Sequence, residues 1–267
     1  MESRMTTSWH VYKYLNQPTA QLIEFDDEIA TEYPLTFRID GEEFATMVCS
    51  PEHLQELAIG FLASEGVIRS FADIQQLHID TDRGYIDIEL RTKQSTSKDL
   101  YSKRFIGSCC GKSRQFYFHN DMFTAKTSTT RVTVSVEQCV NLMEQLQNHS
   151  SDFQLTGGVH NASLCTPEKM IVVRSDIGRH NALDKLFGYC LQHKIQTRDK
   201  IITFSGRMSS EVVLKAAKIG VGFLLSKSAP TDLALKLADD LGITCVGFIR
   251  SGRMNGYTHT ERITGLA

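Results

Sequence analysis

The second half of the sequence alternates between runs typical of buried strands and runs typical of amphipathic helices. Short β-branched runs such as KIITFS and ITCVGFIR predict strands buried on both faces. Longer runs such as SSEVVLKAAKIG and PTDLALKLADDLG lie between the strands and have one apolar face each. Because a parallel strand must be followed by a crossover, this alternation predicts a largely parallel sheet with helical cover. The fold class that follows is α/β.

The first half of the sequence has a different pattern, made of hairpins and one helix. YPLTFRID and GEEFATMVCS alternate apolar and polar residues around a turn signal at Asp40-Gly41, and IQQLHID and YIDIELR predict a second hairpin. PEHLQELAIGFLASEG is typical of a helix, with Pro51 in its first turn. We therefore expect a smaller α+β N-terminal domain over residues 1–125 and an α/β cofactor-binding domain over residues 126–267.

Composition and charge exclude several classes of protein. Hydrophobic residues make up 41% of the 267 residues and the formal net charge is -2, which gives no overall field that would attract nucleic acid. The first residues lack the apolar core of a secretory signal, and no apolar run is long enough to span a bilayer. We therefore expect a cytoplasmic protein that contacts neither membrane nor nucleic acid and whose thiols stay reduced.

The cysteines fall into two groups. Seven is an odd number, which argues against a framework of disulfides, and five of the seven lie in apolar stretches where small buried side chains are expected. Cys109 and Cys110 differ, because they are adjacent in a polar segment near 105–115, predicted to be a mobile loop, with Lys112 and Arg114 close by. Cationic neighbours favour the thiolate, so this pair is the candidate catalytic nucleophile.

Three other interpretations of the cysteine pair stay open at this point. The pair could be buried structurally, although its flanking residues are polar. It could contribute to a metal site, although the chain has no C-x-x-C partner and zinc ligands usually lie two to four residues apart. It could also form a strained disulfide that acts as a redox switch.

Three turns between a predicted strand and the following helix indicate a site for an anion. They span residues 176–181, 205–209 and 226–231, with the sequences DIGRHN, SGRMS and SKSAPT. Open α/β sheets bind ligands at the carboxyl ends of their strands, and the helix N-termini that follow attract phosphate. Two of the turns also contain arginine, which binds phosphate with paired hydrogen bonds. We therefore expect a nucleotide-like ligand, although neither a Walker loop nor G-x-G-x-x-G is present.

Two further motifs extend this candidate site. TGGVHNAS contains His160, which could exchange a proton, after two glycines that allow close approach of a ligand. GFIRSGRMNGYT follows the last predicted strand and is basic, so it could close over phosphates or a planar base. The candidate ligand-binding residues are Phe248, Ile249, Arg250, Ser251, Gly252, Arg253, Gly178, Arg179, His180, Asn181, Ser205, Gly206, Arg207, Ser228 and His160.

Together these motifs closely resemble one family, the formate dehydrogenase accessory sulfurtransferases called FdhD. The resemblance rests on GFLASEGVI, SCCGKSR, TGGVHNA, DIGRHNALDK, SGRMSSEVVLKAAKIG, SKSAPTDLALKLA and GFIRSGRMNGYT, which occur in the family's order. It implies a sulfur carrier that accepts persulfide sulfur from a cysteine desulfurase and transfers it to the bis-guanine-dinucleotide molybdenum cofactor, as formate dehydrogenase activity requires. It also implies a cytidine-deaminase-like C-terminal domain, a homodimer, and GDP as a surrogate ligand.

Two positions depart from the family's pattern. Many relatives have C-x-x-C where this chain has Cys109-Cys110, so either cysteine could carry the persulfide. Many also have an acidic residue where this chain has Ser175. A deaminase-like fold would not imply deamination, since the zinc signature of deaminases is absent and no metal site is expected.

Two other functions compete with the sulfurtransferase. A non-catalytic chaperone that only holds the molybdenum cofactor or a guanine nucleotide would need no reactive cysteine. An unrelated enzyme acting on nucleotides would turn over a free nucleotide. Activity of a variant without both loop cysteines separates the chaperone from a sulfur carrier, and a product assay tests the nucleotide enzyme.

Overall fold

A long antiparallel hairpin begins the fold. The structure, a computed structural model, describes residues 5–17, 19–92, 104–106, 125–149, 151–250 and 252–266. In the hairpin, β1 (Thr6–Gln17) pairs with β2 (Thr19–Ala30) along their whole length. The sequence pattern does not predict these strands, because apolar and aromatic residues occur on both faces and the period of two is blurred.

The N-terminal sheet has five strands. They are β3 (Tyr33–Ile39), β4 (Glu42–Cys49), β5 (Ile74–Asp80), β6 (Tyr85–Leu90) and β7 (Arg104–Ile106). Their order in the sheet is β5-β6-β3-β4-β7, and both predicted hairpins, β3–β4 and β5–β6, are confirmed. Asp40 and Gly41 have φ of 49° and 87°, the left-handed values that a tight two-residue hairpin turn requires.

Helix α1 (Leu54–Ser64) packs on this sheet through its apolar face. The rings of Phe37 in β3 and Phe61 in α1 lie with their centroids 5.1 Å apart. The helix begins three residues after Pro51, where the sequence predicts its first turn, because His53 is left-handed with φ of 54° and ends a preceding turn. A 3-10 helix (Phe71–Asp73) leads from α1 into β5.

The C-terminal sheet has six strands. They are β9 (His160–Cys165), β10 (Met170–Asp176), β11 (Ile201–Phe204), β12 (Phe223–Ser226), β13 (Thr244–Arg250) and β14 (Arg253–Gly256). Their order is β10-β9-β11-β12-β13-β14, with β11, β12 and β13 mutually parallel. The α/β class is confirmed. The prediction of a largely parallel sheet is wrong, because three of the five strand pairs, β10–β9, β9–β11 and β13–β14, are antiparallel.

Helices cover both faces of this sheet. The described helices of the second half are α2 (Val136–Asn148), α3 (Ser151–Thr156), α4 (Arg179–Gln192), α5 (Ser210–Ile219) and α6 (Asp232–Asp240). Ile202 and Leu224 share a core cluster with α4, α5 and α6, whereas their neighbours Ile201 and Phe223 share one with α2. This follows from the alternation of side chains along a strand. A short parallel pair, β8 (Val134–Ser135) with β15 (Ile263–Thr264), and a 3-10 helix (Thr260–Arg262) complete the chain.

Helices α1 and α4 cross in backbone contact and join the two halves. A Cβ at Gly60 would lie 1.8 Å from the carbonyl oxygen of Asp184, and a Cβ at Gly188 would lie 1.9 Å from that of Glu56. Glycine is therefore required on both helices. One core cluster consequently runs from the five-stranded sheet to the six-stranded sheet.

Three sequence predictions are left open by this fold. The domain limits at 1–125 and 126–267 stay predictions, as does the likeness to cytidine deaminases. Most of the segment near 105–115, predicted to be a mobile loop, lies outside the described residues. In the described part of the chain, no helix is both long and apolar enough to cross a membrane.

Candidate functional site

The carboxyl ends of four strands lie along one edge of the C-terminal sheet. β10 runs in the same direction as β11, since both are antiparallel to β9. The turns over 176–181, 205–209 and 226–231 therefore begin at the same edge, together with the segment after β13. His160 starts β9 opposite Asp176, so the TGGVHNA motif enters the sheet here as well. The fold thus collects motifs that are far apart in the sequence, and we call this surface the strand-end edge.

Asp176 is the centre of the first turn and is fully buried. Its Oδ2 accepts the backbone N–H of Ser50 at 3.0 Å and lies 2.7 Å from Nζ of Lys185. Its Oδ1 accepts the N–H of Gly178 at 2.8 Å and the side-chain amide of Asn181 at 2.9 Å. A carboxylate with four such partners has no capacity left for a ligand, so Asp176 fixes the shape of the turn.

The same network ties the turn to the N-terminal sheet. Lys185 donates to the carbonyl of Ser50 at 3.2 Å, and the Ser50 hydroxyl accepts the N–H of Ile177 at 3.0 Å. Asn181 donates its amide to the carbonyl of Val48 at 3.0 Å. The end of β4 is therefore held against the turn over 176–181. Sequence reasoning missed Ser50 and Lys185, because no local pattern marks a contact between residues 126 or more positions apart.

Ser205 and Ser175 connect neighbouring strands at the edge. The N–H of Ser205 donates to the carbonyl of Asn161 at 3.0 Å, and its hydroxyl accepts the N–H of Asn161 at 2.9 Å. Ser175 donates its hydroxyl to the side-chain oxygen of Asn161. Both serines therefore fix the start of β9 beside His160.

His160 and Phe204 form an aromatic wall at the edge. Their rings are stacked with centroids 6.4 Å apart. A Cβ at Gly206 would lie 3.2 Å from Nδ1 of His160, so glycine keeps the space beside the ring open. Burial lowers the pKa of His160 and the charge of Arg179 lowers it further, while Asp176 has the opposite effect. The ring is therefore neutral at pH 7 and can donate one hydrogen bond and accept another.

The end of β12 and the turn that follows it are hydrogen-bonded to the turn after β11 and to β13. The Ser226 hydroxyl donates to the carbonyl of Gly206 at 2.7 Å. The carbonyl of Ser228 accepts the N–H of Phe248 at 3.2 Å. A ligand at this edge would therefore bind to turns that are already hydrogen-bonded to their neighbours.

The end of β13 and the start of β14 present an aromatic ring and two arginines. Phe248 has φ of 54°, a left-handed conformation that is unusual for an aromatic residue and clusters at functional sites. The guanidinium of Arg250 lies 5.6 Å from the centroid of the Phe248 ring, and Arg250 is exposed. Arg253 lies opposite Arg250 across the β13–β14 hairpin. The ring of Phe248 provides a flat apolar surface, and the guanidinium groups of Arg250 and Arg253 provide positive charge next to it.

Some predicted ligand residues have other roles or fall outside the described chain. Ile249 is buried in the core beneath the edge, and the Asn181 side chain is committed to Val48 and Asp176. Gly252 is exposed at the tip of the hairpin with φ of 70°. Ser251 lies outside the described residues.

The strand-end edge carries an excess of positive charge. Its cations are Arg179, Arg207, Lys227, Arg250 and Arg253. Among the acids close to these cations, Asp176 is paired with the buried Lys185, and Oε2 of Glu211 lies 2.8 Å from Nε2 of His180. Although the whole chain has a net charge of -2, this surface suits an anionic ligand such as a phosphate ester.

Comparison with known proteins gives the family of this chain. A sequence model of the FdhD/NarQ family matches residues 30–264, a range that includes the whole edge. The chain belongs to the FdhD/NarQ family. It is 60% identical to a sulfur carrier protein FdhD from Geobacillus kaustophilus over 95% of both chains. It is 51% identical to a protein of the same name from Bacillus subtilis, over 98% of this chain and 99% of the relative.

A solved structure shares the fold of this FdhD/NarQ chain. It is the crystal structure of a protein from Desulfotalea psychrophila described as a formate dehydrogenase accessory protein. The TM-score is 0.76 and the identity 23%, over 96% of this chain and 99% of the other. The six-stranded and five-stranded sheets described above therefore belong to a known architecture.

Five of the seven cysteines of this FdhD/NarQ chain lie in the described residues. Cys109 and Cys110, the candidate nucleophiles, fall within the family match but outside the described residues. The other five, which are Cys49, Cys139, Cys165, Cys190 and Cys245, are all buried free thiols. Burial raises the pKa of four of these thiols to about 12 and also raises that of Cys165. None of the five is therefore a thiolate near pH 7, which confirms their predicted role as buried side chains.

Proposed function

We propose that this chain is a sulfurtransferase that accepts persulfide sulfur from a cysteine desulfurase and delivers it to the bis-guanine-dinucleotide molybdenum cofactor for formate dehydrogenase. The names of relatives 51% and 60% identical over nearly the whole chain support sulfur carriage. The observation that carries the proposal is the state of the thiols. Five of the seven are buried with a raised pKa, which leaves Cys109 and Cys110 for sulfur chemistry.

The position of β7 supports delivery of sulfur to the strand-end edge. β7 ends at Ile106, which is paired in parallel register with Met47 of β4. β4 ends at Cys49, and the next residue, Ser50, donates its N–H to Asp176 in the first turn of the edge. Ile106, which precedes Cys109 by three residues in the sequence, is therefore paired with the strand that leads to the turn over 176–181.

The relay begins with a thiol–persulfide exchange that needs no net oxidation or reduction. The thiolate of Cys109 or Cys110 attacks the outer sulfur of the donor persulfide. A new S–S bond forms, the S–S bond of the donor breaks, and the donor leaves as a thiolate. Release of the carried sulfur as sulfide then requires two electrons. A second thiol supplies them when it attacks the inner sulfur and forms a disulfide, and the adjacent cysteine is suited to this role.

The strand-end edge is the proposed site for the guanine-nucleotide part of the cofactor. Arg179, Arg207 and Arg250 would bind phosphate oxygens, and neutral His160 would exchange hydrogen bonds with the ligand. Phe248, left-handed and beside Arg250, would contact the planar base. GDP, which has one guanine and two phosphates, is the simplest probe of this site. A homodimer and a cytidine-deaminase-like domain remain predictions from the family resemblance.

Activation of formate dehydrogenase in cells tests the function. We expect the double variant Cys109→Ala/Cys110→Ala to lose activation although the protein accumulates normally. The matched control is Ser108→Ala/Ser113→Ala, which changes the same loop to the same extent and leaves both thiols in place. Full activation by the double cysteine variant would contradict sulfur carriage and would favour the chaperone that only holds the cofactor.

A further inference from the structure

The base of the N-terminal hairpin β1–β2 lies next to the strand-end edge. The N–H of Thr31 donates to the carbonyl of Met5 at 2.9 Å and closes this base. A Cβ at Gly158 would lie 3.1 Å from the Cβ of Ala30, the last residue of β2. Gly158 precedes by two residues His160, which starts β9 at the edge. A protein held at the base of the hairpin would therefore be close to the candidate ligand site.

The hairpin has two faces, and one of them exposes larger apolar side chains. Paired residues share a face, and successive residues alternate between faces. One face, called here the tyrosine face, is the face of Tyr12, Tyr14, Leu22, Glu24, Asp26 and Glu28. Tyr12 is 63% exposed, Tyr14 64% and Leu22 66%. On the opposite face, Trp9 is 60% exposed and the other described apolar side chains are at most 41% exposed. Exposed aromatic side chains grouped in this way are typical of an interaction surface.

The tyrosine face is also acidic. It carries the carboxylates of Glu24, Asp26 and Glu28. Residues 6–30 contain one lysine and no arginine, and that lysine, Lys13, lies on the opposite face. Because nucleic acids and anionic lipids are negatively charged, this face does not suit either of them. A protein with a positively charged surface is the partner that it fits.

The carboxylates and the exposed apolar side chains lie at different ends of the tyrosine face. Glu28 is two residues from the end of β2, and Asp26 is two residues further along the strand, with its Oδ1 3.1 Å from Nδ1 of His10. Tyr14 and Leu22 are paired towards the turn of the hairpin. A partner would therefore contact carboxylates near the strand-end edge and apolar side chains farther from it.

The cofactor of the proposed function determines what charge its acceptor carries. An enzyme that takes up a guanine-dinucleotide cofactor has to bind its phosphates. Proteins bind phosphates with arginine, lysine and N–H groups, so the empty cofactor entrance of such an enzyme is positively charged. The strand-end edge is positive as well and would repel that entrance. The carboxylates at the base of the hairpin supply the opposite charge beside the edge, so the two proteins are complementary there.

We propose that the tyrosine face docks on the cofactor entrance of the formate dehydrogenase that receives the cofactor. This docking rests on the proposed function, because that function names the cofactor and the client. The carboxylates contact cations at the rim of the entrance, and Tyr12, Tyr14 and Leu22 pack against apolar side chains beside it. Each strand has 12 residues, so the hairpin is about 40 Å long and can cross an interface of ordinary size.

Two adjacent aspartates on opposite faces test the docking. Binding of the full chain to formate dehydrogenase produced without its cofactor is measured by biolayer interferometry. Asp26→Lys, on the tyrosine face, should weaken binding at least about tenfold. The matched control Asp27→Lys makes the same change of charge on the opposite face and should stay within about twofold of the parent, because salt screens a charge that does not touch the partner. No binding by the parent, or equal effects of the two variants, would overturn the proposal.

A second matched pair tests the apolar part of the face without changing any charge. Leu22→Ser, on the tyrosine face, should weaken binding about fivefold, because its side chain packs in the contact. Ile23→Ser, on the opposite face, is the control and should bind as the parent does. A larger loss with Ile23→Ser than with Leu22→Ser would place the contact on the opposite face and overturn the proposal.

Sulfur loading separates a failure of this docking from a failure of the proposed function. Asp26→Lys and Leu22→Ser should take up sulfur from a cysteine desulfurase as the parent does. A parent chain that takes up no sulfur would contradict the proposed function, whereas normal uptake together with unaltered enzyme binding by Asp26→Lys would overturn the docking alone. Variants that lose sulfur uptake, or that change only the self-association of the chain in sedimentation velocity, would assign the face to the desulfurase or to a second copy and also overturn it.

Discussion

Single buried charges decide the shape of the strand-end edge. Asp176 and Lys185 are both fully buried, and Nζ of Lys185 lies 2.7 Å from Oδ2 of Asp176. Ser50 and Asn181 belong to the same hydrogen-bond network. Each charge is tolerated because the other is present and the remaining polar atoms are hydrogen-bonded. The consequence for function is that the turn over 176–181 is hydrogen-bonded to the end of β4 and to Ser50.

Removal of the Lys185 side-chain charge should therefore destabilise the folded protein. Lys185→Met leaves the carboxylate of Asp176 buried without its cation, and we expect the free energy of unfolding to fall by about 3–5 kcal/mol. The matched control is Lys236→Met, which removes an exposed ion pair with Asp232 at 2.9 Å and should change stability by about 0.5 kcal/mol or less. Urea titration of both variants measures the difference, and equal losses would contradict a structural role for the buried pair.

His160 should make stability depend on pH in a defined direction. Burial, followed by the charge of Arg179, lowers its pKa in the folded protein. As the pH falls through about 6.5, the His160 ring is protonated in the unfolded chain and stays neutral in the folded protein. The free energy of unfolding therefore decreases until the pH is below the pKa of His160 in the folded protein. His160→Gln should flatten this dependence between about pH 7.5 and 5.5, as measured by urea unfolding. An unchanged slope in the variant would contradict a lowered pKa.

Local patterns predict individual elements well, and contacts between distant elements poorly. Helices α4, α5 and α6 and the two hairpins β3–β4 and β5–β6 follow from periodicity and turn residues, which are properties of a few neighbouring positions. α1 begins later than predicted because residues 50–53 form a turn that meets Asp176, a partner 126 positions from Ser50. The hairpin β1–β2 was missed because both of its faces carry apolar residues.

The crossing of α1 and α4 should tolerate no side chain at Gly60. A Cβ there would meet backbone atoms of Asp184, which cannot move away as a flexible side chain can. We expect Gly60→Ala to destabilise the protein by about 3 kcal/mol or more, measured by urea unfolding. Gly41→Ala is the control: its φ is 87° and its Cβ would meet nothing within 4 Å, so the cost should be about 1–2 kcal/mol. Gly60→Ala at or below the cost of the control would contradict the backbone contact.

At the scale of the whole molecule, the candidate site depends on both sheets. The sequence predicts its turns, because small and basic residues follow predicted strands and parallel strands end at one edge. It does not predict the support from Val48 and Ser50, since β4 belongs to the other sheet. The edge is also more positive than the net charge of -2 indicates, because arginines and Lys227 cluster there and its buried acid Asp176 is paired with Lys185.

The positive edge should bind GDP in a salt-dependent manner. We expect Arg207→Ala and Arg250→Ala each to weaken binding about tenfold in calorimetry, with the whole titration weaker at higher ionic strength. Lys236→Ala, on the exposed side of α6, is the control and should bind as the parent does. Binding that neither arginine substitution diminishes would place the nucleotide elsewhere.

The central claim is that Cys109 or Cys110 carries sulfur. The full chain is incubated with a cysteine desulfurase and free cysteine, and the masses of the intact protein and its peptides are then measured without reductant. We expect one added sulfur atom on the peptide that contains residues 109 and 110, none on the peptides of the five buried cysteines, and none in Cys109→Ala/Cys110→Ala. Single alanine variants identify which of the two is the carrier. A peptide containing 109 and 110 that gains no sulfur would contradict the account.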